Sequence, residues 1–272
     1  MTQLALHDIY LLYTEIKKKA KESSSVVYSN IYHYYEQEIE QIKCDCRVTD
    51  SSLVFLRKDK KGVCRVYFIS FDLKVLAEEL MYFPKSSILD YICKEENPLE
   101  NVFNNGGFRK IASYTRKSIN FKTEGKEFKR SHSEILDSYY DETVGEYAVE
   151  ENAEEIVQLL DEVFDKDMDH IPSVEDIRRY ARNKWILIYR NKEKIRALYI
   201  FQIQGKKFYS NISYNSMPAI VLYCLEKRAH MDVVNNYDVT MKYSWINTNN
   251  EKSLRRNILN FDGVYTYIYK KE

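Results

Sequence analysis

The chain has 272 residues, with 41 Lys plus Arg against 41 Asp plus Glu, and 24 tyrosines. Zero net charge excludes a global field that would draw it onto nucleic acid or an anionic membrane, so any charged partner has to be met by a local patch. No apolar run approaches the ~20 residues of a membrane span, and MTQLALHDIY lacks the basic region and long apolar stretch of a signal peptide, so a cytoplasmic location is expected.

In chain order, Leu4, Ile9, Leu12 and Ile16 fall at helical spacing, a serine run at 23–25 breaks it, and a second helix is expected over 26–42. The stretch SSLVFLRKDKKGVCRVYFISFD holds two alternating apolar runs joined at Asp59-Lys60-Lys61-Gly62, which predicts a hairpin. Residues 73–83 read as a helix ended by Pro84, 88–93 as a strand, 98–103 as a short helix and 108–119 as a strand. Residues 120–145 are polar and weakly periodic, so they are expected to connect two halves, with one helix at most; Lys122, Lys126, Lys129 and Arg130 there read as solvated surface.

The second half is more regular. A short strand is expected at 147–149, an amphipathic helix over 153–164 with Ile156, Leu159, Leu160, Val163 and Phe164 on one face, and a loop through DKDMDHIPS. Ser173 followed three residues later by Asp176 predicts a capped helix to Arg182. Strands at 185–189, 195–203 and 207–214 form a meander with a turn at Asn191-Lys192-Glu193-Lys194. A helix over 217–230, a strand over 240–246, a helix over 251–259 and a strand over 264–270 complete the order β-α-α-β-β-β-α-β-α-β. The five cysteines lack the paired C-x2-C spacing of a zinc site; Cys44 and Cys46 share one face of a strand, and free thiols with no metal are expected. The tyrosines read as strand formers at half-buried positions.

Two stretches carry the same pattern. NPLENVFNNGGFRKIASYTRK, beginning at Asn97, and NEKSLRRNILNFDGVYTYIYK, beginning at Asn250, match at Asn97/Asn250, Asn104/Asn257, Phe108/Phe261, Tyr114/Tyr267 and Lys117/Lys270. Each reads as a short helix, a break and a β-rich strand. The element order from Tyr147 to Lys270, closed by Asn250, Ser253, Leu254, Arg255 and Phe261 in an N-x-x-[AS]-[IL]-R arrangement, resembles the GNAT superfamily of acyl-CoA N-acyltransferases. In that motif Asn260 stands in place of the usual glycine. The expected fold is therefore α/β (α+β), two tandem GNAT-like mixed-sheet domains: an abbreviated half over 1–121, a linker over 122–143 and a fuller domain over 144–272.

The resemblance implies an acyltransferase that moves an acetyl group from acetyl-CoA, or another acyl-CoA, to a primary amine of a small molecule or peptide. Pantetheine would lie along the strand 208–214 where it splays from its neighbour, and the pyrophosphate at the following helix N-terminus. The implied coenzyme-binding residues are Ile212, Tyr214, Asn215, Ser216, Met217, Ala219 and Asn250. The family's loop reads [QR]-x-x-G-x-[GA]; this chain has Tyr214 and Met217 at the first and glycine places and keeps only the small Ala219. The family often places a tyrosine where Asn257 stands, so Tyr209, Tyr267 and His170 are the catalytic candidates, with Tyr214 and Tyr265 nearby. Asp167, Asp169 and Trp245 are the substrate-binding candidates. The altered loop also implies an alternative, a degenerate GNAT-like binding module without catalysis. A third reading, kinship with tandem ligases that use aminoacyl-tRNA, finds no basic aromatic groove in the sequence beyond the cluster from Lys122 to Arg130, so nucleic acid is not an expected partner, and zero net charge permits a homodimer.

Overall fold

The computed structural model describes residues 1–31, 43–128, 133–256 and 261–272. In chain order the elements are β1 (Thr2–Ala5), α1 (Leu6–Glu22), β2 (Tyr28–Ser29), β3 (Lys43–Val48), β4 (Ser52–Lys58), β5 (Cys64–Ser70), α2 (Leu73–Leu80), β6 (Ile88–Lys94), α3 (Glu100–Asn105), β7 (Phe108–Asn120) and α4 (Ser133–Asp137). Then follow β8 (Glu146–Tyr147), α5 (Ala153–Val163), α6 (Val174–Arg182), β9 (Ile186–Asn191), β10 (Lys194–Gln204), β11 (Lys207–Asn215), α7 (Ala219–Asn236), β12 (Met241–Asn247), α8 (Glu251–Arg256) and β13 (Phe261–Lys271). This is a mixed α/β fold. The chain divides into two units, one of Met1–Ser113, Lys166–Met168 and Tyr265–Glu272, the other of Tyr114–Asp165 and Asp169–Val264. The division falls inside β7 and β13, so each of these strands contributes to both units.

In the first unit the strand order is β1-β3-β4-β5-β6-β13. β1/β3, β3/β4 and β4/β5 are antiparallel, and β5/β6 parallel. β4 is buried on both faces, which is why SLVFL reads as one continuous apolar run. On one face α1 sets Leu6, Ile9 and Ile16 against Cys44, Cys46, Leu53, Phe55 and Ile69. On the other, Leu76, Leu80 and Phe103 from α2 and α3 pack with Val54, Phe68 and Tyr269. The hairpin turn forms as expected: Gly62 takes φ +78, and the Asp59 carboxylate accepts the Lys61 and Val63 amides at 2.9 and 3.0 Å. Arg65, whose side chain is almost wholly buried, reaches Asp59 at 3.0 Å, Asp90 at 3.3 Å and the Lys166 carbonyl at 3.2 Å.

Three N-terminal expectations change. Thr2–Ala5 is a strand on the edge of β3 rather than the start of the helix. Lys43–Val48, polar except on its cysteine face, is a six-residue strand, of which the sequence reading had only the shared strand face of Cys44 and Cys46. Tyr28 and Ser29 pair with Ser70 and Ile69 of β5 instead of opening a helix, and residues 32–42 of that expected helix lie outside the described residues. Because β4 already holds the other edge of β5 at Ser70 and Ile69, β2 lies on the side of β5 that faces β6. There β5 and β6 are in register only at Arg65↔Ile88, and beyond it the buried Asn30 bridges them. Its Nδ2 donates to the carbonyls of Val66 at 3.0 Å and Asp90 at 2.9 Å, and its Oδ1 accepts the Phe68 amide at 2.7 Å.

In the second unit the order is β7-β12-β11-β10-β9-β8, with β11/β12 parallel and the other registered pairs antiparallel. Its elements follow the expected order. α7 begins two residues later than expected and runs on to Asn236, because Pro218 supplies its N-cap. α5 and α6 cover one face through Ile156, Leu160 and Ile177 against Ile186, Ile188, Leu198 and Ile200. α7 covers the other through Leu222, Leu225, Ala229 and Val233 against Leu187, Tyr199, Phe201 and Phe208. Ser173 caps α6 by accepting the Asp176 amide at 3.2 Å, as the spacing predicts. The stretch read as a connection is fastened to α7. Tyr223 donates to Asp137, Lys227 pairs with Asp137, and Arg228 donates to the Gly145 carbonyl at 3.0 Å. Lys227 and then Tyr223 hold the Asp137 carboxyl below its usual range. Lys129 and Arg130 lie outside the described residues.

Candidate functional site

Between Ile200 and Phe201 the β10–β11 register shifts: Ile200 faces Ile212 and Phe201 faces Ser210, which leaves Asn211 as an inserted residue. Such a bulge bends the strand and increases its twist. The parallel ladder between β11 and β12 starts at Lys207↔Met241 and ends at Ser210↔Ser244, the residue before the bulge. Both strands continue, β11 paired with β10 as far as Asn215 and β12 paired with β7 as far as Asn247. Residues 211–215 and 245–247 therefore flank a gap, and every second amide and carbonyl on each side points into it. The side chains of Ile212 and Tyr214 pack on the face covered by α5 and α6, so these two can serve a ligand in the gap through their backbone.

β11 runs from this gap into the loop before α7. Asn215 folds the loop back: its Oδ1 accepts the Met217 amide at 3.1 Å, and its Nδ2 donates to the Met217 carbonyl at 2.9 Å and the Pro218 carbonyl at 3.3 Å. The Ser216 amide and hydroxyl donate to the Arg196 carbonyl at 2.9 and 3.0 Å. Pro218 has no amide, so the outward donors are those of the first helical turn, at Ala219 and Ile220. A pocket of about 250 Å³ opens beside the loop, lined by Asn191, Lys192, Arg196, Ser216 and Met217. Two cations line this pocket, and its loop side at Ser216 and Met217 leads directly into α7, an arrangement that suits a phosphate-bearing ligand. Lys192 and Glu193 hold φ of +50 and +63 at the tip of the β9–β10 hairpin, a conformation that favours Asn-Gly and is strained for both residues. Lys192 and Arg196 were not singled out from sequence, where Lys192 read as part of an ordinary charged turn and Arg196 as part of the strand that follows.

A row of half-buried side chains crosses the sheet face below and beside the gap. Tyr209 stacks on Tyr243 at 5.5 Å, in the paired part of β11 and β12. Arg116 of β7 lies over Tyr243 at 4.9 Å and Trp245 at 5.8 Å, and pairs with Asp262 at 2.8 Å. At the end of β12, Asn247 faces Tyr114, whose hydroxyl donates to Asp169 Oδ1 at 2.7 Å. The Asp169 amide donates to the Asp165 carbonyl at 2.7 Å, and the Asp165 amide returns to Asp169 Oδ2 at 3.2 Å, so the loop turns its carboxylate toward the strand. Burial raises the Asp169 carboxyl above its ordinary value, against the Tyr114 hydrogen bond.

The other sequence candidates are placed as follows. His170 is exposed beside Asp169 in the chain. Tyr267 belongs to the first unit, where its hydroxyl donates to the Glu95 carbonyl at 3.2 Å and its ring packs on that unit's core. Asp167 also belongs there, paired with Lys270 at 2.6 Å. Asn250 caps α8, its Oδ1 accepting the Ser253 amide at 3.0 Å. Asn257 and Asn260 lie outside the described residues. Cys44 and Cys46 are both buried, and burial pushes their thiols up to about 11 and about 12, which leaves them as inert core groups. Among the described residues no group of three or more His, Cys, Asp or Glu is placed to hold a metal ion, and no helix is long and apolar enough to cross a membrane.

No protein-family model and no curated protein matches the sequence. Solved structures do match in shape. A GCN5-related N-acetyltransferase from Sphaerobacter thermophilus superposes with a TM-score of 0.54 at 9% identity, covering 82% of this chain and 76% of that one. The fold is that of the GNAT acetyltransferases. A GCN5-related N-acetyltransferase from Kribbella flavida is similar too, with a TM-score of 0.50 at 10% identity over 84% of this chain and 89% of that one. Identities this low carry the GNAT fold and leave the chemistry to this chain's own residues.

Proposed function

We propose that the second unit takes up an acyl-CoA thioester in the gap between β11 and β12 and transfers its acyl group, in the simplest case acetyl, to a primary amine of a small molecule or peptide. The observation that carries this reading is the ladder that ends at Ser210↔Ser244 while both strands run on. A pantetheine arm carries two amides and can complete such an edge as an added strand would. Its diphosphate would then meet Lys192, Arg196 and the first turn of α7. Attack of an amine on a thioester requires mainly alignment and hydrogen bonds to the carbonyl oxygen, which backbone amides at 211–215 could donate. On this reading the protein works in the cytoplasm.

We read the first unit as an abbreviated GNAT-like half. Both repeated stretches form a helix and a strand, α3–β7 and α8–β13, and each helix follows an asparagine that accepts a nearby amide, Asn97 from Leu99 at 2.8 Å and Asn250 from Ser253 at 3.0 Å. In that half the corresponding opening between β5 and β6 is filled by β2 and Asn30, so one thioester is expected per chain.

Calorimetry with acetyl-CoA is the test. Saturable heat with a stoichiometry near one per chain is expected, with Arg196→Glu weakening affinity by about tenfold, or ~1.4 kcal/mol. Absence of heat and of a thermal shift at millimolar acetyl-CoA contradicts the reading. One observation favours the alternative, a non-catalytic binding module: Asn215 occupies the Met217 amide, and Pro218 supplies none. In that case Met217→Gly leaves acetyl-CoA binding unchanged, whereas in a coenzyme site it strengthens it.

A further inference from the structure

The proposed transfer needs an acceptor nitrogen with a free lone pair, and a primary amine arrives in water as an ammonium ion. We propose that Asp169, positioned by the Tyr114 hydroxyl, receives the ammonium proton of the acceptor; this rests on the acyl-CoA reading above. The geometry carries it. Tyr114 faces Asn247, three residues past Ser244, where β12 has already parted from β11. Tyr114 stands on β7, across β12 from the gap and level with its open end, so the Asp169 carboxylate is held by a side chain one strand from the gap, with one oxygen 2.7 Å from the Tyr114 hydroxyl and the other 3.2 Å from the Asp165 amide. Along the same face lie Tyr209, Tyr243 and Trp245, an aromatic row against which the organic part of an amine can lie beside the Arg116 guanidinium, which sits over Tyr243 at 4.9 Å and Trp245 at 5.8 Å.

The groups that act on the carboxyl are Tyr114 from β7 and Asp165 and His170 from its own loop. Burial and the Asp165 charge favour its protonated form, while the Tyr114 hydroxyl, the Asp165 amide and His170 favour the carboxylate. A carboxylate lifted by burial is a better proton acceptor than one in water. In the step, the ammonium N–H bond breaks toward Asp169, which passes that proton to solvent. The freed lone pair attacks the thioester carbonyl carbon, the C–N bond forms and the C–S bond breaks. The second proton shed by nitrogen ends on the departing thiolate, so an amide and a free thiol leave the site.

The test uses the full chain, acetyl-CoA, and phenethylamine and benzylamine as acceptor probes, with thiol release as the readout. Asp169→Asn retains an acceptor for the Tyr114 hydroxyl and is expected to lower kcat by about 100-fold while KM for acetyl-CoA stays unchanged. Tyr114→Phe removes a hydrogen bond that favours the carboxylate, so the acid limb of kcat/KM should move to higher pH. The Asp169 carboxyl resonance, followed by 13C NMR without substrate and assigned by its loss in Asp169→Asn, should move in the same direction. Wild-type kcat in Asp169→Asn, or neither amine being acetylated by a protein that binds acetyl-CoA, overturns the assignment. An unmoved Asp169 titration in Tyr114→Phe also overturns it. Failure of acetyl-CoA to bind instead removes the reading beneath it, a result the calorimetry reports separately.

Discussion

Asn30→Ala should lower the unfolding free energy by about 4 kcal/mol, measured by urea denaturation at neutral pH. Asn30 is 2% exposed, and its carboxamide is the link between β5 and β6 beyond their registered pair. Truncation leaves the Val66 and Asp90 carbonyls and the Phe68 amide without the partner they now have. Each buried backbone group stripped of a partner costs ~1–3 kcal/mol, and three together outweigh the gain from removing one polar side chain. Asn30→Asp should be nearly as damaging, since the Val66 and Asp90 carbonyls would then face a carboxylate oxygen instead of an N–H donor. A loss below about 1 kcal/mol in Asn30→Ala would show that β2 does not seal this opening, and with it the expectation of a single thioester per chain would fall.

Acid should destabilise the protein through His230, and His230→Phe should flatten that dependence. The ring is buried against Phe121 at 5.5 Å, Phe128 at 5.2 Å and Phe208 at 6.3 Å. Nε2 lies 2.7 Å from the Lys126 carbonyl and therefore carries the proton, while Nδ1 has no partner among the described residues. Burial first, and the Lys242 charge second, depress the ring from 6.5 to about 3; the Lys126 carbonyl acts weakly the other way. The folded state therefore holds a neutral imidazole at a pH where the unfolded chain binds a proton. The unfolded state binds more protons between the two values, so stability rises with pH there, and it is lost as pH falls from 6.5 toward 3. By about pH 4.5 the loss amounts to ~2–3 kcal/mol. Urea midpoints at neutral pH and at pH 4.5 for wild type and His230→Phe measure it. Equal slopes in the two proteins would contradict the assignment, even if the variant is less stable throughout.

Pattern made the second unit legible, because α5 and α6 each carry an apolar stripe and β9 and β10 are apolar runs set off by short turns. The first unit was harder to read. TQLA is too short for a period-two pattern to register, and KCDCRV buries cysteines, so its strand has no run of branched or aromatic side chains to announce it. Tyr28 and Ser29 lie in a stretch of mixed spacing, and only pairing with β5, far along the chain, makes them a strand. The same limit applies to the candidate site. The loop from Tyr214 to Ala219 was located through the resemblance to the GNAT superfamily, but a bulge at Asn211 leaves no mark in NISYN. Lys192 and Arg196 reach that loop because β10 lies beside β11, a neighbour relation that composition does not encode. Asp169 was singled out as a loop carboxylate, and Tyr114 only as the repeat partner of Tyr267. Their hydrogen bond joins residues 55 apart in the chain.

Amide hydrogen exchange with and without acetyl-CoA tests the central claim most directly, because a thioester carrier lying along β11 must take hydrogen bonds from the backbone it covers. Added acetyl-CoA should slow exchange at 211–215 and 245–247, with little change at 207–210, where β11 and β12 are already paired. Saturating acetyl-CoA that leaves 211–215 exchanging as fast as in the free protein would show that the gap between these strands is not where the thioester binds.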